Sequence, residues 1–77
     1  MNFYNSLSEL KRGQTAKVKA LSVTGSMRRR LQDIGLIEGT RVECLQMSPG
    51  GDPIAYLIRG AVIALRSEDS SNIQVYE

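Results

Sequence analysis

Seventy-seven residues, 42% of them hydrophobic and carrying a net charge of +2, specify one domain over residues 1–77 with one modest core and little surplus stability. The longest apolar run, Ala61–Leu65, is far short of the roughly 20 residues that cross a bilayer. The absence of histidine removes the commonest acid–base catalyst near neutrality, and with a single cysteine, Cys44, it excludes the usual zinc and two-histidine iron sites.

Ser6, Leu7, Ser8 and Glu9 have the form of a capping box, and Gly13 supplies a stop, so residues 7–11 read as one short helix. Residues 15–21 alternate, with Ala16, Val18 and Ala20 on one side and Lys17 and Lys19 on the other, the pattern of a half-buried strand. Ser26 is placed to cap a second helix in which Met27, Leu31 and Ile34 share a face. Gly35 suits the left-handed position that ends it, and Leu36 can fold back on the last turn. Residues 40–47 read as a strand whose broken alternation at Val42, Cys44 and Leu45 predicts a bulge.

Ser48, Pro49, Gly50, Gly51, Asp52 and Pro53 form the clearest loop. A strand over residues 54–58, a tight corner at Arg59 and Gly60, and a returning strand over residues 61–65 follow. The returning strand is nearly all apolar, which predicts cover on both faces. Residues 67–71 suit one capped helical turn with Glu68 and Asp69 near its start, and Ile73 and Val75 place a last strand in the core. Five short strands in so small a chain predict a mainly β fold, a closed or nearly closed barrel with two short helices, the last strand pairing with the first.

The remaining chemistry points to binding. The serines have no base to activate them, the carboxylates are scattered, and the glycines of the 48–53 loop are not followed by a phosphate-binding Lys-Ser or Lys-Thr. Residues 1–30 hold seven bases (Lys11, Arg12, Lys17, Lys19, Arg28, Arg29, Arg30) against Glu9, whereas residues 31–77 hold three bases against seven acids. This reads either as an ordinary solvated exterior or as a basic face for an acidic partner. Arg28, Arg29 and Arg30 fall in the predicted first turn of the second helix, where the helix dipole disfavours cations by about 0.3–1 kcal/mol each. They either lie over the barrel and satisfy carbonyls or recognise carboxylate or phosphate. A helix-turn-helix is excluded, because only Leu36, Ile37, Glu38 and Gly39 separate Gly35 from the next strand. The aromatics Phe3, Tyr4, Tyr56 and Tyr76 are too few for a base-stacking platform.

Taken together, Ser6, Leu7, Ser8, Glu9 and Leu10 with Gly13, then Arg29, Arg30 and Leu31 with Asp33, Ile34, Gly35, Leu36 and Gly39, then Gly51, Asp52 and Pro53 with Arg59, Gly60, Ala64, Leu65 and Arg66, resemble the bacterial ferrous iron transport protein A (FeoA) family across residues 6–75. The resemblance implies an SH3-like barrel that serves as an accessory to a membrane ferrous iron transporter carrying a GTP-binding domain. It implies binding and modulation rather than enzymatic activity, with no cofactor. Met1, Asn2, Phe3, Tyr4, Asn5 and Ser6 lack the basic start and apolar stretch of a signal peptide, and the lone Cys44 suits a reducing compartment, so a cytoplasmic location is expected. Arg28, Arg29, Arg30, Pro49, Gly50, Gly51, Asp52 and Pro53 are the expected partner contacts, the partner being the transporter and not a nucleic acid. The competing readings are a barrel that binds nucleic acid and a structural module that self-associates through sheet edges.

Overall fold

Apolar side chains on alternate residues need one covered face, and five short strands meet that need by joining one curved sheet. The computed structural model describes residues 6–76; Phe3 and Tyr4 lie outside them. The strands are β1 (Thr15–Leu21), β2 (Arg41–Met47), β3 (Ile54–Ile58), β4 (Ala61–Leu65) and β5 (Ile73–Tyr76), all antiparallel in the order β4-β3-β2-β1-β5. Helix α1 (Gly25–Asp33) joins β1 to β2, and a single turn, α2 (Ser67–Ser70), joins β4 to β5. The last strand pairs with the first as expected. Among the described residues the ladder stays open between β4 and β5.

The inner face is a continuous core. Val18, Val42, Cys44, Tyr56, Ile58, Leu65, Ile73 and Val75 line it, with Leu7 and Leu10 from the N-terminal segment and Leu31 and Leu36 from the α1 region. Each fully buried leucine contributes about 1.5–3 kcal/mol. Two bulges bend the sheet around these side chains. One leaves Leu45 unpaired between Cys44 and Gln46, where the sequence predicts it. The other falls between Val18 and Ala20 opposite β5 and was not expected. It breaks the alternation of β1, so Ala16 and Val18 are buried while Ala20 is exposed.

The expected helix over residues 7–11 is a shorter 3-10 turn, Leu7–Glu9, because Leu10 is already extended and buried. The Glu9 carboxylate accepts the Ser6 N–H at 3.0 Å, and the capping box forms as expected. Gly13 acts later than predicted, in a turn whose N–H donates to the Cys44 carbonyl at 2.7 Å. Helix α1 begins before Ser26, with Thr24 at its N-cap. Its other end follows the sequence closely: Gly35 has φ +89°, and the Leu36 N–H donates to the Leu31 carbonyl at 2.9 Å. Thr40 sits just ahead of β2, its hydroxyl accepting from the Ile37 N–H and donating to the Gly35 carbonyl.

Strand β4 corrects the prediction of cover on both faces. It is an edge strand in which Ala61, Val62 and Ala64 are exposed, Val62 at 65%, and only Leu65 is buried. A continuous apolar pattern in so short a strand does not distinguish a covered strand from an edge. The β3–β4 corner is a two-residue turn with φ +49° at Arg59 and +83° at Gly60, the type that matches strand twist.

Two measurements check this description. A Cβ at Gly35 would enter the space held by the Arg59 Cδ and Nε atoms, whereas one at Gly39 meets nothing, although both glycines have positive φ. Gly35→Ala and Gly39→Ala should each lose about 1–3 kcal/mol in urea unfolding. The loss should be larger at Gly35, with the excess abolished by Arg59→Ala.

Burial pushes the Cys44 thiol up, with Glu43 adding to the rise, and burial likewise pushes the Tyr56 phenol up. The folded state therefore holds protons that the unfolded chain releases, so this contribution is intact at neutral pH and stability should fall as pH climbs above about 9. Tyr56→Phe should shallow the decline above about pH 10. A flat stability profile to pH 11 would contradict burial of these groups.

Candidate functional site

Helix α1 presents Arg28, Arg29 and Arg30 on its exposed side. Because α1 starts at Gly25, Arg28 is its fourth residue and closes the first turn, while Arg29 and Arg30 lie beyond it, Arg30 in the last turn, where the dipole favours a cation. The expected first-turn penalty is therefore absent at Arg29 and Arg30. Arg28 satisfies a carbonyl, its Nη1 donating to the Leu21 oxygen at 2.9 Å. Among the described residues, Arg29 and Arg30 have no hydrogen-bonded or ionic side-chain partner, and the spacing of Arg29 and Asp33 does not close an ion pair.

Between α1 and the end of β1 lies an open groove of about 290 Å³. Ala20, Leu21 and Ile37, which is 55% exposed, line it together with Lys19, Arg28 and Glu38. The groove depends on the β1 bulge, since strict alternation would have turned Ala20 inward. Lys19 and Ile37 are absent from the contacts expected from sequence. The alternation at Lys17 and Lys19 was a visible signal for the first, while Ile37 follows only from the turn that buries Leu36.

A second open groove, about 320 Å³, lies at the 48–53 loop. Pro49 and Pro53 wall it with Met47, over a floor of Ala55 and Ala64, which are register partners on β3 and β4. Gly50 and Gly51 are at the exposed tip, the Gly51 N–H donating to the Ser48 carbonyl at 2.7 Å. Asp52 is already engaged: its carboxylate accepts the Ser67 N–H at 2.7 Å and lies 3.7 Å from the Arg66 guanidinium. It thus supplies the side chain that caps the first turn of α2.

The two groups of expected contacts are not brought together. The α1 segment enters β2 at Arg41 and the loop leaves it at Met47, so they stand about 20 Å apart along the strand. On the outer face Lys17 and Arg41 are direct register partners. Like charges so placed oppose folding slightly and mark a surface available to an anionic group. Among the described residues no three His, Cys, Asp or Glu side chains cluster as a metal site. Asp52→Ala should lower stability by about 1 kcal/mol, whereas Asp52→Asn, which keeps an accepting oxygen, should lose less; thermal unfolding of the two variants separates a capping role from a purely ionic one.

Comparison with known proteins bears on what these surfaces meet. A family model for the FeoA domain matches residues 5–77. A Porphyromonas gingivalis protein described as an Fe(2+) transport protein A/Fe(2+) transporter FeoB fusion is 33% identical over 69 residues, which are 90% of this chain and 8% of that protein. This chain therefore spans less than a tenth of that relative. The solution structure of a Chlorobium tepidum FeoA protein superposes with TM-score 0.88 at 37% identity, covering 92% of this chain and 68% of that one. A zinc-complexed Stenotrophomonas maltophilia FeoA, described as a prokaryotic SH3 domain protein, superposes with TM-score 0.80 at 27% identity, covering 91% and 87%. With its five-stranded antiparallel sheet, two short helices and a family match that runs almost end to end, the chain is an SH3-like protein that belongs to the FeoA domain family.

Proposed function

We propose that this protein is a non-enzymatic, cytoplasmic accessory of ferrous iron uptake that binds the GTP-binding cytoplasmic part of a membrane iron transporter and modulates it. The observation that carries this reading is the Porphyromonas gingivalis relative, in which a counterpart of this chain and an FeoB transporter share one polypeptide. Domains joined in one chain meet at high effective concentration, which favours a weak, adjustable contact over a tight one. The groove beside α1 suits such a contact, with its exposed Ile37, the cations Lys19 and Arg28, and the unpaired Arg29 and Arg30 next to it. Arginine pairs with carboxylates or phosphates through a planar fork, so an acidic surface with an apolar knob is the matching chemistry. The prolines of the 49–53 loop offer a second contact at the far end of β2, and a transporter domain that reached both would span the sheet.

Calorimetric titration of the purified cytoplasmic part of the transporter with this protein tests the proposal. Arg29→Glu should weaken binding about tenfold or more, as reversal of an interface charge does, with circular dichroism and melting unchanged because Arg29 is exposed and holds no partner among the described residues. Unchanged affinity would remove Arg29 from the interface, and no binding by the parent protein would overturn the proposal.

A further inference from the structure

Among the described residues, strand β4 is an edge with none of the usual protections. It carries no charge, proline or bulge, and its five residues pair with β3 in unbroken register. The other edge, β5, has the 3-10 turn beside it. The tight turn closes on the Ile58–Ala61 pair, which directs the Ala61 N–H toward β3. By antiparallel alternation the backbone N–H and C=O groups of Val62 and Ala64 then point away from the sheet. No backbone hydrogen bond of these two residues to anything beyond the ladder occurs among the described residues.

Charge decides which strand fits. The uncharged edge is bracketed by Arg59 before it, whose side chain reaches Gly35, and Arg66 after it, both exposed, with Arg66 only partly offset by Asp52 at 3.7 Å. A second copy of this chain could satisfy Val62 and Ala64 only by pairing antiparallel about Ile63, which sets Arg66 of one molecule against Gly60 of the other, beside its Arg59. Two such like-charge meetings oppose self-association. An extended segment with acids at both ends meets the same bases favourably.

We infer that the β4 edge is a docking site for an extended polypeptide segment, about five alternating apolar and polar residues flanked by acidic ones, which adds to the sheet as a sixth strand. Main-chain bonds to Val62 and Ala64 supply the attachment, and Arg59 and Arg66 select the acidic flanks. The site is distinct from the α1 groove, so it stands whether or not the transporter reading holds.

NMR titration of the isotope-labelled protein with the capped heptapeptide Glu-Val-Thr-Val-Thr-Val-Glu, and with its counterpart bearing lysine at both ends, tests this. The acid-ended peptide should bind several-fold more tightly, shift the Val62 and Ala64 amides and slow their hydrogen exchange, while the amides of Arg28, Arg29 and Arg30 stay unmoved. Val62→Pro, which removes an outward N–H that an edge strand does not use, should abolish binding. Arg59→Glu should erase the preference for acidic ends, and it keeps the test decisive if the proline variant does not fold. No binding at millimolar peptide, equal affinity for the two peptides, shifts centred on α1, or sedimentation showing self-association through the same amides would each overturn the inference.

Discussion

One constraint governs this molecule: a single small sheet must cover its own apolar face. With no second sheet among the described residues to pack against, the strands curve until Tyr56, fully buried at the centre of β3, is enclosed. Its hydroxyl donates to the Leu7 carbonyl at 3.4 Å, linking the N-terminal turn to the middle of the sheet. Leu7 and Leu10 close one part of the interior and Leu31 and Leu36 another, so the segments outside the sheet act chiefly as lids. The curvature comes from the bulges in β1 and β2, which add local twist where flat pairing would leave the core open.

The same economy shapes the exterior. A sheet that spends its inner face on the core has its outer face, its rims, its ends and its unpaired edge with which to meet other molecules. The β1 bulge that bends the sheet also turns Ala20 outward to line the groove beside α1. The turn that buries Leu36 leaves the next residue, Ile37, exposed on that groove. At the other end Asp52 fastens the loop to α2 and holds Pro49 and Pro53 in place around the second groove. Asp52 is thus engaged within the fold, beside the prolines and glycines proposed as partner contacts.

Much of the fold was legible in the sequence because its signals are local. The alternation of Ala16 and Val18, the Gly35-Leu36 helix end, the broken pattern at Leu45 and the tight corner at Gly60 each depend on a few adjacent residues, and each appears where expected. What was not legible depends on partners distant in the chain. The β1 bulge exists only opposite β5, and the Asp52 cap bridges 15 residues. The exposure of Val62 follows from the place of β4 at the end of the sheet, which its apolar composition does not encode. The start of α1 was misplaced because Thr24 and Ser26 are both acceptable capping residues, and the structure puts Thr24 at the N-cap. For the candidate site, the arginines and the proline loop could be picked out by type, but their separation along β2 could not be read without strand order.

We propose that this protein acts through its exterior on another protein while its core stays closed. Amide spectra of the labelled protein, recorded with and without the transporter's GTP-binding part, probe both halves of that proposal at once. Shifts are expected at Lys19, Arg28 and Ile37, with the amides of Val42, Tyr56 and Val75 unmoved. Shifts spread through those core residues, or none at saturating partner, would contradict it.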